Sequence, residues 1–155
     1  MTKPLIALYQ PDIPGNTGAI LRLGACMGID IHIIGPPGFD LSDRSLKRAG
    51  MDYIEMATLT RHDGWEEFEI WRKAEARRLV LMTTKSATPY IDETGPTLGE
   101  RDIVLFGRES AGVPEKVHDA ADVRLTIPMI EGRRSLNLAM SVAMMAGEIT
   151  RRFGL

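Results

Sequence analysis

A single cysteine, Cys26, is all the sulfhydryl chemistry the chain has, so no intrachain disulfide can form, and with nine methionines the composition suits a reducing compartment. An excess of charge of one sign is also missing. Nineteen Lys+Arg against twenty-one Asp+Glu leave −2 over 155 residues, which excludes a grip on nucleic acid by bulk charge and confines any such contact to local patches. Long hydrophobic runs are absent too: the longest uncharged stretch, 135–147, is thirteen residues, suited to a buried helix and short of a membrane span. Lys3 is followed by only Pro4–Tyr9 as an apolar run before Gln10-Pro11-Asp12, too little for a secretory signal core. The expectation is a soluble, cytoplasmic protein without membrane association. With 44% apolar and 26% charged residues and no low-complexity block, intrinsic disorder is excluded. The length predicts one domain, 1–155, able to bury about two thirds of its unfolded surface.

The common ligand signatures are missing as well. There is no G-x-G-x-x-G and no G-x-x-x-x-G-K-[ST], so neither a dinucleotide fingerprint nor a phosphate-cradling loop is supported. Gly107-Arg-Glu-Ser-Ala-Gly112 misses G-x-S-x-G because its first glycine comes one place too early for a nucleophile elbow. His32, His62 and His118 are spread apart without a second His or Cys at ligand spacing. His32 alternates with apolar neighbours and reads as structural, and His62-Asp63-Gly64 reads as a turn. Catalysis without metal or covalent intermediate is the expectation.

What is present is a regular alternation. Short apolar or β-branched runs at Pro4–Tyr9, Asp30–Ile34, Tyr53–Ala57, Arg78–Met82, Asp102–Phe106 and Val123–Ile127 predict six strands. Helical patterns fall between and after them, at Asn16–Met27, Asp43–Ala49, Trp65–Ala76, Pro114–Ala120 and Ser135–Phe153. This order predicts an α/β fold, a parallel sheet with helices on both faces. The runs LVLM and IVLF are apolar on both alternations and belong at its centre. Gly28 and Gly50 close the first two helices, and Pro114 stands where another begins.

Such sheets bind ligands beyond the carboxyl ends of their strands, and three loops there carry a signal. The first, Gln10–Gly18, is turn-rich, with Asn16 as a helix N-cap. In the helix that follows, Arg22 is a lone cation among apolar or small neighbours, which demands a partner, a solvated cleft or an anionic ligand. A snorkelling side chain is the alternative. The second, Phe106–Pro114, carries two glycines and places the Glu109 carboxylate at a strand end; an ordinary strand-to-helix turn is its alternative. The third, Ile127–Ala139, leads into the last helix with Ser135 as cap and Asn137 lodged between leucines, where it needs a hydrogen bond. In that helix Ala139, Ala143 and Gly147 form a small-residue stripe flanked by Met140, Met144 and Met145, either core packing or a dimer face.

Asn16 with Arg22, G-R-E-x-x-G-V-P, and I-P-M followed by S-L-N-L-A resemble the three motifs of the SPOUT superfamily of RNA 2′-O-methyltransferases. The segments 8–14, 32–34, 46–53, 60–62 and 81–85 are similar to its small TrmL/YibK branch, so the resemblance spans nearly the whole chain. It implies a parallel sheet whose C-terminal part is threaded into a deep trefoil knot, against the usual rule. It also implies 2′-O-methylation of the ribose at the tRNA wobble position (cytidine or modified uridine), with S-adenosylmethionine as donor and S-adenosylhomocysteine as product. By position the cofactor would be held around Met82, Gly107, Ile127, Met129, Ser135 and Leu136. Arg108 and Met82 depart modestly from what relatives carry at those places.

The resemblance further implies a homodimer with its site between protomers, where Arg22 reaches cofactor held by the other subunit. A guanidinium is always protonated, so an electrostatic role fits it better than that of a base. Arg22 would hold the adjoining phosphate and stabilise oxyanion character while Asn16, Glu109, Ser135 and Asn137 orient the ribose and the loops. For the tRNA anticodon stem-loop, Arg44, Lys47 and Arg48 make a basic face at i, i+3, i+4, with Arg133 and Arg134 as a second patch; solvated surface is the alternative. Two functional alternatives remain: the same chemistry on another tRNA or rRNA ribose, and a non-catalytic cofactor-binding RNA accessory protein.

Overall fold

In the computed structural model, which describes residues 2–86, 88–133 and 136–155, the parallel sheet forms from β1 (Leu5–Tyr9), β2 (Ile31–Ile34), β3 (Leu59–His62), β4 (Leu79–Met82), β5 (Ile103–Phe106) and β6 (Val123–Leu125). All neighbours are parallel, in the order β3-β2-β1-β5-β4-β6. The four inner strands are buried along their whole length, as expected where helices cover both faces. Strand alternation then sorts side chains into two cores. Ile6, Leu8, Val80, Met82, Val104 and Phe106 face one side, where α1 (Pro14–Met27) and α6 (Leu138–Phe153) contribute Ile20, Leu21, Val142, Met145 and Ile149. Leu5, Ala7, Tyr9, Leu79, Leu81, Ile103 and Leu105 face the other, against Trp65 and Phe68 of α4 (Trp65–Ala74) and Val117 of α5 (Glu115–Ala120).

The expected strand Tyr53–Ala57 is instead a short helix, α3, which follows α2 (Asp43–Arg48). Its cause is local: the Asp52 carboxylate accepts the Glu55 amide hydrogen at 2.7 Å, capping the first turn, and Tyr53 and Ile54 are exposed while only Met56 packs against the core. The strand is displaced to Leu59–His62, which pairs with β2 from Ile31↔Leu59 to Ile34↔His62 at a half-exposed edge.

Two expected caps also move. The first helix begins at Pro14, whose missing amide hydrogen costs nothing at that position, so Asn16 lies inside the first turn and Ile13 holds the cap place without a capping side chain. The last helix starts at Leu138, and its cap is Asn137, whose side-chain oxygen accepts from the Met140 amide at 3.3 Å. Ser135 lies outside the described residues.

Candidate functional site

At the carboxyl ends of β4, β5 and β6 the loops enclose a cavity of about 520 Å³, within the range of small-molecule sites. Each of its walls has a local origin. Beyond β4, Met82 supplies an apolar surface before the polar run Thr83-Thr84-Lys85. Beyond β6 come Ile127 and Met129, and the start of α6 adds Leu136 and Asn137. After β5 the chain doubles back, with Arg108 and Gly112 exchanging both backbone hydrogen bonds at 2.9 Å. A Cβ on Gly107 would sit 2.6 Å from the Gly112 carbonyl carbon, and Gly112 itself has φ +65, so this tight return needs glycine at both ends.

Five of the six residues expected to hold cofactor, Met82, Gly107, Ile127, Met129 and Leu136, line this one cavity; the sixth, Ser135, lies outside the described residues. Asn16, Glu109 and Asn137 also line it and are joined. The Asn137 side-chain amide donates to Asn16 Oδ1 at 3.2 Å, and Asn16 Nδ2 donates to Glu109 Oε2 at 3.2 Å. Glu109 also accepts from the Asp12 and Ile13 amides at 3.1 and 3.2 Å. Residues more than ninety positions apart thus form one hydrogen-bonded line across three loops, and the glutamate ties the segment leading into α1 to the loop after β5.

Beside it, Arg108 reaches Gln10 Oε1 and Asp12 Oδ2, both at 3.4 Å, and the Ser110 hydroxyl donates to Asp12 Oδ2. Ser110 above all, with Arg108 adding attraction, holds the Asp12 carboxyl below the usual carboxylate range.

Arg22 is elsewhere. Six residues beyond Asn16 on a helix is about 240° around and about 9 Å along the axis, and Arg22 is not among the residues lining the cavity. Its side chain is 61% exposed and its Nε lies 2.9 Å from Glu55 Oε1. The partner that a lone cation demands is therefore a glutamate on α3.

Arg44, Lys47 and Arg48 are exposed together on α2, and Arg133 is exposed in the turn after Ile130; Arg134 lies outside the described residues. The segment leading to α2 touches the site, because a Cβ on Gly38 would meet Asp12 at 2.9 Å and Arg108 at 3.8 Å.

Sequence reasoning missed Thr83, Thr84, Lys85 and His118 as cavity residues. A polar run directly after a buried strand was the available signal for the first three; His118 gave none, since only the packing of α5 turns it inward. Its Nε2 is buried without a hydrogen-bond partner among the described residues. Apolar walls, a glycine-lined return and an unsatisfied ring nitrogen together suit a ligand with a flat heteroaromatic part and a polar tail, which S-adenosylmethionine has.

The sequence profile of the SpoU rRNA Methylase family matches residues 3–147. A tRNA (cytidine(34)-2'-O)-methyltransferase of Ancylobacter novellus is 50% identical over 149 residues, covering 96% of this chain and 92% of its own. A solved structure described as "Structural insights into the 2-OH methylation of C/U34 on tRNA" is 36% identical with TM-score 0.84, covering 98% of this chain and 91% of its own. An AdoMet-bound rRNA methyltransferase from Sinorhizobium meliloti is 26% identical with TM-score 0.82, over 97% of this chain and 57% of its own.

Proposed function

The chain belongs to the SpoU rRNA Methylase family, and from that premise we propose that it methylates the ribose 2′-hydroxyl of the tRNA wobble nucleotide, cytidine or uridine 34, with S-adenosylmethionine as donor. The observation that carries this is the joining of Asn16, Glu109 and Asn137, one from each motif, on the wall of a single cavity. The relatives acting at position 34 match nearly end to end, which favours tRNA over a ribosomal substrate.

Met82, Ile127, Met129 and Leu136 would hold the donor's adenosine between apolar surfaces, beside the Gly107 return. When bound, S-adenosylmethionine supplies a methyl group on a positively charged sulfur. The protein's own part is positional and electrostatic. Asn16 and Asn137 fix the floor on which the ribose rests, and Glu109 locks that floor to α1. Arg22 stabilises negative charge developing on the attacking oxygen and holds the neighbouring phosphate; as a permanent cation it does not take the proton.

Since Arg22 lies away from its own chain's cavity, it serves the cavity of a second copy, and the working unit is a homodimer. The exposed face of α6, with Met140 and Met144 beside Ala143 and Gly147, is the apolar surface that would close it. Arg44, Lys47, Arg48, Arg133 and Arg134 would grip the anticodon stem-loop. We read the 155 residues as one domain working in the cytoplasm with its substrate. We also read the fold as knotted: β6 lies outside β4, yet α6 returns to pack on α1, which supports a threaded C-terminal segment. No helix among the described residues is long and apolar enough to cross a membrane.

The test is transfer of labelled methyl to total tRNA with nuclease mapping of the product. Label on the ribose of nucleotide 34 is expected; label confined to other nucleotides or to rRNA overturns the reading. Arg22→Ala should abolish turnover while donor binding, measured by calorimetry, persists.

A further inference from the structure

Glu55 is a carboxylate that no motif singles out. It is 6% exposed on a five-residue helix, and its Oε2 is buried with no hydrogen-bond partner among the described residues. A buried carboxylate is retained only where its charge is balanced, and the balancing group here is Arg22, whose Nε lies 2.9 Å from Oε1.

The helix start makes this choice of partner informative. Asp52-Tyr-Ile-Glu55 has the spacing of a capping box, in which the glutamate would turn back to the amide of the cap residue. Half of that box is formed, since Asp52 Oδ1 accepts from the Glu55 amide at 2.7 Å. The Glu55 carboxylate goes instead to the arginine of α1. Its backbone is fixed by the cap and its side chain by burial, so the anion is rigid while the cation it meets is 61% exposed. Engaging Nε leaves the terminal nitrogens of an exposed guanidinium free to meet another group, and Arg22 does not line the chain's own cavity.

We propose that Glu55 is the positioning residue for Arg22: it anchors the inner edge of the guanidinium so that the outer edge is presented, preorganised, to the ribose and phosphate in a second copy's site. This rests on the catalytic reading of Arg22 given above. A merely structural glutamate between α1 and α3 would matter for folding and not for the chemical step.

The variant is Glu55→Gln, similar in shape and uncharged, in the full-length protein with tRNA and S-adenosylmethionine. The expected result is a fall in kcat of about tenfold to a hundredfold, the size of effect that misplacing a reacting group produces, with unchanged calorimetric affinity for the donor. In an Arg22→Lys background, whose side chain has no Nε fork to anchor, the same change should cost little more. Wild-type kcat for Glu55→Gln, or an undiminished further loss in the Arg22→Lys background, overturns the proposal.

A measurement on the wild-type protein stands even where the variant folds poorly. The Arg22 Nε–H order parameter should stay above about 0.6, the bound below which a group is flexible, and a value below it overturns the proposal. If Arg22→Ala keeps its turnover, the catalytic reading of Arg22 fails. If Arg22→Ala is inactive and Glu55→Gln is normal, only the role of Glu55 fails.

Discussion

Glu109 gives the sharpest quantitative test of how the site is assembled. Helix α1 starts with Ile13 at the cap, no capping side chain and no acidic residue in its first turn. Across the fold, Glu109 accepts from the backbone amides of Asp12 and Ile13, just before α1, and from the Asn16 side-chain amide, at 3.1 to 3.2 Å. A hydrogen bond to a charged group contributes about 1.5–3 kcal/mol, and losing a negative charge beside a helix N-terminus costs about 0.3–1 kcal/mol. The two overlap, so Glu109→Ala should destabilise the protein by about 2 kcal/mol, or about 4–8 °C in Tm for a chain of this size. Glu109→Gln keeps an acceptor oxygen and loses the charge, so about 1 kcal/mol is expected. Urea unfolding at one fixed protein concentration is the assay, because self-association would otherwise add to the apparent stability. Asn16→Ala should couple to Glu109→Ala by about 0.5–1.5 kcal/mol in a double-mutant cycle. A Glu109→Ala protein within about 0.5 kcal/mol of wild type would refute the cross-fold tie and leave Glu109 as a surface carboxylate.

Neutralising Arg44, Lys47 and Arg48 together should lower the slope of log affinity for tRNA against log salt by about 2–3, roughly one for each lost phosphate contact; an unchanged slope in filter binding removes this face from the interface. Burial, with repulsion from His62 and Arg77, lowers the pKa of His32 from 6.5 to about 4, so the unfolded chain binds the proton first. Stability from the neutral ring is therefore full above pH 6.5 and lost as pH falls toward 4: wild type should lose about 2–3 kcal/mol more than His32→Phe between pH 7 and 4.5, and parallel curves would defeat the idea. On the proposed homodimer, mixing equal amounts of Arg22→Ala chains with cavity-blocked Gly107→Val chains, each expected to be inactive alone, should restore about a quarter of wild-type turnover after exchange, since half the dimers would be mixed and each mixed dimer would have one complete site. No recovery in a mixture shown to contain mixed dimers would place Arg22 in its own chain's site.

What the chain reveals in advance follows the range of the interactions concerned. Leu79–Met82 and Ile103–Phe106 are legible because an inner parallel strand must be apolar on both faces, a requirement written within four residues. Tyr53–Ala57 is illegible by the same rule: its apolar residues look like strand, but the Asp52 cap decides the backbone and leaves Tyr53 and Ile54 outside. The cavity residues after β4, β5 and β6 follow from where such sheets bind ligands and from the motif resemblance. The tie from Glu109 to the start of α1 could not be read locally, because its hydrogen-bonded amides at Asp12 and Ile13 are 97 and 96 residues away. A strand over 53–57 offers Glu55 no visible route to Arg22; the helix found there does.

The spacing of Asn16 and Arg22 then acquires a physical meaning. Neighbours on one helical face are three or four residues apart; six residues place two side chains on opposing flanks. Asn16 is committed to Glu109 and Asn137 at its own cavity, so Arg22 is obliged to face outward, and Glu55 meets it there. In this arrangement α1 brings Asn16 and not Arg22 to the cavity. On the proposed reading the pair therefore joins two sites: the same rod that floors one cavity carries the cation for another. Association is then a condition of the chemistry itself, over and above any stability it adds.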